Sequence, residues 1–222
     1  MIRYILKKLR LIIFKKYREK KIANLISEEI LKLTSDKKKY TVLDYGSGMQ
    51  PDTILFICEN LKKSKFNFTF ECYDFYNDKQ IKHLNKINYN INFFSLSSFP
   101  NSNNYDFSLI VDVLHHIDMK NYDTHNLILQ KLKKYSHYIF IKDHFQYGFL
   151  SNIILRIMDF IGNYYNNVYL PNKYFTVNEF NFFINKLSFN EIKRIDNIYY
   201  YKKFWLFFSN PKLHFLSILK EK

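Results

Sequence analysis

The sequence predicts an α/β protein with a Rossmann-like, mostly parallel sheet of seven strands, helices on both faces and an amphipathic helix at the N-terminus. Three observations support this class. Short apolar runs alternate with helical patterns along most of the chain, as βαβ units do. Two glycines follow the first apolar run, and acids or histidines follow other runs. The 222 residues show no break in composition, so residues 1–222 are predicted to form a single domain.

The N-terminal segment, residues 1–18, is predicted to be a basic amphipathic helix. Apolar residues recur at helical spacing between Ile2 and Ile13, with Arg and Lys mainly on the other side. Residues 1–40 carry a net charge of +9 out of the +14 of the whole chain. We expect this helix to dock on the domain, because Lys16 and Lys20 interrupt its apolar stripe. The alternative is peripheral contact with an anionic membrane through residues 1–16.

A second helix over Ile22–Leu33 leads into five strand and helix units, whose alternation implies right-handed crossovers and a parallel sheet covered on both faces. The predicted strands are Tyr40–Tyr45, Asn67–Asp74, Ile91–Ser95, Phe107–Val113 and Tyr138–Lys142. The predicted helices between them are Asp52–Lys63, Asp78–Ile87 and Tyr122–Lys134.

After the fifth strand, an apolar helix is predicted over Phe149–Ile161. Thr176 and Glu179 have the spacing of a capping box and predict the start of another helix. Strands around Ile192–Tyr200 and His214–Leu219 then complete the sheet. The segment 145–176 is predicted to be an insertion that lies over the ligand-binding edge of the sheet. We expect it to form the pocket for a substrate.

Composition excludes several classes of protein. Cys58 and Cys72 are too few to suggest a disulfide framework or a zinc site, and no apolar run is long enough to span a bilayer. Because 29 of the 34 basic residues are Lys, and Lys, Asn, Ile, Phe and Tyr are abundant together, codon bias explains the charge and a nucleic-acid partner is not expected. A cytoplasmic protein is predicted, with peripheral association at the inner face of the membrane as the alternative.

Three polar signals fall at the carboxyl ends of predicted strands, where open α/β sheets bind ligands. The first is the loop Asp44-Tyr45-Gly46-Ser47-Gly48, whose glycines allow close backbone contact with a ligand. The second is Asp74, which could accept hydrogen bonds from ribose hydroxyls. The third is Asp112 with His115 and His116 after strand four. Pro51 stands where a dinucleotide-binding loop needs its third glycine, which argues against a dehydrogenase.

Together these segments resemble the class I S-adenosylmethionine-dependent methyltransferases. The run Val42–Gly48 is similar to the family's first motif, Asp74 to its ribose-binding acid, and the segment from Tyr105 to Ile117 to its fourth strand. Gln50 and Ser95 depart from the family pattern, in the glycine loop and near the adenine. Segments 140–144, 158–163 and 170–171 resemble a bacterial subgroup that modifies small molecules or glycans.

The resemblance implies S-adenosylmethionine as cofactor and an in-line displacement at its methyl group. The residues that it implies for cofactor binding are Asp44, Tyr45, Gly46, Ser47, Gly48, Asp74, Ser95, Leu96 and Asp112. An oxygen of a small molecule, sugar or lipid-linked compound is the expected acceptor. The candidates for a general base are His144, Asp143, His116 and His115, with His144 preferred. Asp112, Asp143 and Asn163 carry oxygen ligands that suit magnesium, but their spacing does not require an ion and no metal is predicted.

Two alternatives stay open. A methyltransferase of rRNA, tRNA or other nucleic acid would use the basic N-terminal segment as an electrostatic footprint, although the chain has Asp112-Val113-Leu114-His115 where an Asn-Pro-Pro-Tyr-like segment would be expected. A non-catalytic module with a cofactor fold at the membrane surface is the other alternative, since fold does not establish activity.

Overall fold

Within the part of the chain that the structure describes, the sheet has seven strands, the number predicted, and their order is β3-β2-β1-β4-β5-β7-β6. The computed structural model describes residues 17–35, 37–48, 51–87, 90–100, 104–117, 122–163, 169–199 and 210–222. The strands are β1 Lys39–Tyr45, β2 Asn67–Asp74, β3 Ile91–Ser95, β4 Tyr105–Val111, β5 Ser136–His144, β6 Phe189–Asp196 and β7 His214–Glu221. Strands β1 to β5 pair in parallel, and β7 runs antiparallel to both β5 and β6.

Helices cover both faces of the sheet. They are α1 Tyr17–Leu33, α2 Asp52–Leu61, α3 Asp78–Ile87, α4 Tyr122–Tyr135, α5 Phe149–Asn163 and α6 Val177–Lys186. One apolar cluster packs α1, α2 and α3 on the first face, and another packs α4 and α6 on the second. Since β1, β4 and β5 lie between two helical layers, most of their residues are buried, and a ligand would reach these strands at their carboxyl edge.

The helix and strand types match the sequence-based prediction, and the bounds differ at some ends. The predicted strand at Ile192–Tyr200 is wrong in its limits, because β6 occupies Phe189–Asp196. Two left-handed residues explain this shift: Ser188, with φ of 54°, turns the chain out of α6, and Asn197, with φ of 59°, ends the strand. The capping box at Thr176 is confirmed, with both reciprocal hydrogen bonds to Glu179 present.

The predicted amphipathic helix over residues 1–18 lies almost entirely outside the described residues, which begin at Tyr17. Among the described segments, no helix combines the length and the hydropathy needed to cross a bilayer.

Candidate functional site

The glycine loop after β1 is fixed by backbone geometry. Gly46 and Gly48 have φ of 81° and 73°, in the left-handed region that favours glycine. The Gly46 N–H donates to the carbonyl oxygen of Tyr73 at 2.8 Å, which ties the loop to the end of β2. A Cβ atom on Gly46 would lie 2.5 Å from Cγ2 of Val113, whereas one on Gly48 would meet open space. Gly46 is therefore required by both conformation and packing, and Gly48 by conformation alone.

The Asp74 carboxylate organises the second half of this loop. The Gly48 N–H donates to Oδ2 of Asp74 at 2.6 Å, and the Phe75 N–H donates to Oδ1 at 2.6 Å. The Tyr76 hydroxyl donates to the Gly48 carbonyl oxygen at 2.7 Å. Asp74 is half-buried, so each carboxylate oxygen keeps capacity to accept from a ligand hydroxyl. Tyr76 was not predicted as a site residue, and a lone tyrosine after a strand gave no signal of this contact.

A cleft of about 450 Å³, including its open mouth, lies at the carboxyl edge between β1 and β4. Four predicted cofactor residues, Asp44, Gly46, Ser47 and Asp112, line this cleft. Arg18 and Glu19 of α1 also line it, although the sequence gave no reason to separate them from the other charged residues of the N-terminal region. The structure thus brings the ends of two central strands and the start of α1 around one opening.

The Asp44 carboxyl group is buried on the wall of this cleft. Burial raises its pKa to about 7, the negative charge of Asp74 adds to this effect, and a hydrogen bond from Ser47 opposes it. When a cation lies beside such a buried carboxyl group, ionisation of the carboxyl group becomes more favourable, because the cation offsets the cost of desolvation. Asp44 is therefore suited to a positively charged group of a ligand.

The residues predicted near an adenine lie beside the loop. Ser95 is aligned with Asp74 in the pairing of β3 with β2. Leu96 and Tyr45 line a separate shallow hollow together with Phe99, Ile128 and Lys131. This hollow has the apolar walls that a flat heterocycle needs, with Lys131 at its side.

Asp112, which follows the last residue of β4, lies between cationic side chains. Its carboxylate pairs with Arg18 and with the buried Lys142 of β5, and Nε2 of His144 lies 3.3 Å from its Oδ1. Burial alone would raise the pKa of Asp112, but the charges of Arg18 and Lys142 hold it well below its usual range. Burial lowers the pKa of Lys142 to about 8, although Asp112 opposes that change. Asp112 also has φ of 55°, a conformation that Asp tolerates better than most residues.

His115 stands between two carboxylates on the other side of β5. Its Nδ1 lies 2.6 Å from Oδ1 of Asp143, and its Nε2 lies 3.4 Å from Oδ2 of Asp159 on α5. The Tyr174 hydroxyl donates to the same oxygen of Asp159 at 2.5 Å. Burial would lower the pKa of His115, but the two carboxylates outweigh it and raise the pKa to about 10. The structure thus brings together Asp143 and His115, two of the four residues considered for a general base.

His116 and His144 differ in exposure. His116 is half-buried, its Nδ1 lies 2.9 Å from the Tyr169 carbonyl oxygen, and its Nε2 lies 3.4 Å from Nδ2 of Asn163. Burial and the neighbouring His115 lower the pKa of His116 to about 4. His144 has only 4% of its surface exposed, and burial with the charge of Lys142 lowers its pKa well below its usual range. His116 is the more accessible of these two candidates for a general base.

The three residues considered for magnesium have separate partners. Asp112 pairs with Arg18 and Lys142, Asp143 with His115, and Asn163 with His116. Sequence reasoning also missed Lys142, Asp159 and Tyr174 as members of this polar region. A lysine after the apolar run Ile139–Ile141 and an acid in the apolar helix α5 were the signals that could have indicated buried partners.

No protein-family model matches the chain, and no curated protein matches it. Solved structures do. A 1,6-didemethyltoxoflavin-N1-methyltransferase from Burkholderia thailandensis, with S-adenosylhomocysteine bound, superposes with a TM-score of 0.60 at 14% identity, over 95% of this chain and 81% of that one. A magnesium protoporphyrin IX methyltransferase from Synechocystis, also with S-adenosylhomocysteine, gives 0.59 at 9% identity, over 92% and 84%. A protein described as a pericyclic reaction enzyme gives 0.60 at 12%, over 89% and 47%.

These similarities establish the fold, which is that of class I S-adenosylmethionine-dependent methyltransferases. At 9 to 14% identity they do not establish a reaction, and the pericyclic reaction enzyme illustrates that one fold serves several chemistries.

Proposed function

We propose that this chain, which has the class I methyltransferase fold, transfers a methyl group from S-adenosylmethionine to a small-molecule acceptor, at an oxygen atom. The observation that carries the proposal is the arrangement at the carboxyl ends of β1 and β2: a left-handed glycine loop, Asp74 hydrogen-bonded to that loop, and a buried Asp44 on the wall of the cleft. This set offers backbone contact, a hydroxyl acceptor and a counter-charge at one edge of the sheet.

Each cofactor group has a candidate partner. Asp74 would accept from the ribose hydroxyls, since its oxygens already point to the loop through Gly48 and Phe75. Asp44 would hold the ammonium group of the methionine portion, and Gly46 would allow the backbone to approach. Ser95 and Leu96 would lie against the adenine, with Tyr45 and Asp112 completing the walls. When bound, the cofactor supplies an electrophilic methyl group, so the protein mainly has to orient the acceptor and exclude water.

The methyl acceptor is proposed to bind between His115 and His116 on one side and the segment 145–176 on the other. Asp159, Tyr169 and Tyr174 of this segment contact His115 or His116. An apolar groove is lined by Ile153, Arg156, Ile157, Phe160 and Leu170. The helix α5 therefore carries both Phe160, a wall of the groove, and Asp159, a neighbour of His115. These walls favour an acceptor with an aromatic or apolar portion, including a lipid-linked one, over a free sugar.

The general base is proposed to be one of His116, His144, His115 and Asp143. His116 is favoured by access, because it is half-buried whereas the other three are almost fully buried. A neutral imidazole can take the proton of an acceptor hydroxyl, and the lowered pKa of His116 keeps it neutral near pH 7. His144, the residue preferred from sequence, is buried with its Nε2 3.3 Å from Oδ1 of Asp112, which supports a role in positioning that carboxylate.

The test is calorimetric titration with S-adenosylmethionine and S-adenosylhomocysteine. We expect saturable binding of both by the wild-type chain and loss of at least tenfold in affinity for Asp74→Ala. Asp78→Ala is the matched control, because Asp78 is an exposed acid at the start of α3, whereas Asp74 is half-buried and hydrogen-bonded to the glycine loop. Absence of binding, or equal losses in the two variants, would contradict the proposal. Methylated product from a screen of phenols, sugars and lipid-linked alcohols would then identify the acceptor.

A further inference from the structure

Two imidazoles and a carboxylate converge beside the cleft. His115 and His116 belong to the turn Leu114–His116 after β4, and Asp159 belongs to α5. One potential ligand atom from each of the three lies within 4.8 Å of the others. The rings of His115 and His116 are 4.0 Å apart between centroids, so they stand side by side.

Hydrogen bonds fix which ring nitrogens are available. Nδ1 of His116 lies against the Tyr169 carbonyl oxygen, which can only accept, so this nitrogen carries the hydrogen. Nδ1 of His115 likewise faces the Asp143 carboxylate at 2.6 Å. In the neutral rings, both Nε2 atoms therefore present lone pairs. Histidine ligands of metal ions usually show this arrangement, in which the second nitrogen donates to a carboxylate or a carbonyl group.

The strongest indication of a ligand in the group formed by His115, His116 and Asp159 is the Nε2 atom of His115. It is buried and makes no hydrogen bond to any of the described residues. It faces Oδ2 of Asp159 at 3.4 Å, so two electron-pair donors meet without a donor hydrogen between them when the ring is neutral. Either a proton on Nε2 or a metal ion between the two atoms resolves this conflict. Bonds of about 2.0–2.1 Å to a tetrahedral zinc ion place two ligand atoms about 3.3–3.4 Å apart, which is close to the observed separation.

We propose that His115, His116 and Asp159 form a binding site for a divalent transition-metal ion of the zinc type. Two imidazole nitrogens and one carboxylate oxygen suit zinc and its neighbours in the first transition row, whereas magnesium prefers oxygen ligands alone. Three protein ligands leave at least one position open for water or a substrate oxygen. The site differs from the oxygen set of Asp112, Asp143 and Asn163, and it departs from the sequence-based expectation of no metal.

The supporting contacts extend around the three ligands. The Tyr174 hydroxyl donates to Asp159 and orients its carboxylate, while Asp143 orients His115. Nδ2 of Asn163 lies 3.4 Å from Nε2 of His116 and would have to turn away from a bound ion. A catalytic role for this ion rests on the proposed methyl transfer: an ion here would bind the acceptor oxygen and favour release of its proton to water, and His116 would then hold the ion rather than act as the general base. Metal binding itself does not depend on that function.

The test is titration of the chelator-treated, full-length protein with Zn²⁺ against a chromophoric chelator, and with Co²⁺ followed by its visible absorption. We expect one equivalent of Zn²⁺, a Co²⁺ spectrum of a four- or five-coordinate site, and no competition from millimolar Mg²⁺. His116→Gln and Asp159→Asn should each lower the affinity by at least about tenfold. His83→Gln is the control, because His83 is an exposed histidine on α3.

Unchanged affinity in both site variants, or binding no tighter than that of surface histidines, would overturn the proposal and leave a proton on His115 as the bridging cation. His116 is half-buried, so its variant keeps the test informative even if Asp159→Asn folds poorly. The titration contains no cofactor, so its failure is distinct from failure of the cofactor titration.

Discussion

The glycine loop and the histidine cluster lie at the same edge of the sheet but are built differently. In the loop, Gly48 binds residues 26 and 28 positions away, and backbone atoms take part in each contact. In the histidine region, Arg18 reaches Asp112 across 94 positions, and His116 reaches Tyr169 across 53. The loop is thus fixed by glycine conformation and by contacts at the end of the neighbouring strand β2, whereas the cluster exists only after more distant elements have packed. We therefore expect substitutions in the loop to destabilise the protein through backbone strain. Substitutions in the cluster should destabilise it through unbalanced charge.

The largest effect is expected where charge balance is broken. Asp112→Asn removes the carboxylate between Arg18 and Lys142, while Asn still tolerates the left-handed backbone. We expect the free energy of unfolding to fall by about 3–5 kcal/mol, because two cations then share a poorly solvated site. Urea denaturation measures this change.

Lys142→Met is the matched variant. It removes the buried cation but leaves Asp112 paired with Arg18, so we expect a change in unfolding free energy of about 1 kcal/mol or less. A similar loss in both variants would mean that packing, rather than charge, decides the stability of this cluster.

The next largest effect is a difference in stability between alanine substitutions at the two glycines of the loop. Gly46→Ala adds backbone strain and drives a Cβ atom into Val113, so we expect a loss of about 2–4 kcal/mol in unfolding free energy and loss of cofactor binding. Gly48→Ala adds strain alone, with a loss of about 1 kcal/mol. Equal losses would show that Val113 moves aside and that packing does not constrain Gly46.

The difference between the loop and the cluster also explains which site residues could be predicted from the sequence. Local signals located the loop from Asp44 to Gly48 and the acid at Asp74, because strand ends and glycine conformations are properties of short segments. The same reasoning located Asp112 and His115 but could not identify Arg18 as the partner of Asp112 or Asp159 as the neighbour of His115. Those contacts depend on where α5 and α1 pack on the sheet, which short-range patterns do not encode. His144 was found, yet its burial behind Asp112 could not be predicted.

A third prediction concerns pH and the buried acid of the loop. The folded-state pKa of Asp44 is about 7, above that of an unfolded aspartate, so the folded chain holds a proton that the unfolded chain releases. This contribution is complete below the unfolded pKa near 4 and is lost as pH rises through 7. We expect wild type to lose about 2 kcal/mol relative to Asp44→Asn between pH 5 and 7. Urea denaturation without cofactor measures the difference, and parallel pH profiles would show that Asp44 is ionised throughout.

The smallest effect tests whether the loop depends on its side-chain support. Tyr76→Phe removes only the hydroxyl that donates to the Gly48 carbonyl oxygen, and the ring stays packed against Phe93. We expect a loss of about 1 kcal/mol in unfolding free energy, the usual net value of one neutral hydrogen bond. Cofactor affinity should fall by a few-fold, since Gly48 would keep its bond to Asp74 but lose its second restraint. Tyr138→Phe is the control, because Tyr138 lies near the start of β5, at the end of the sheet opposite the cleft. If Tyr76→Phe leaves cofactor affinity unchanged while lowering stability, then Asp74 and the left-handed backbone hold the loop without Tyr76. The glycine loop would then be even more local in its determinants than the comparison with the histidine cluster implies.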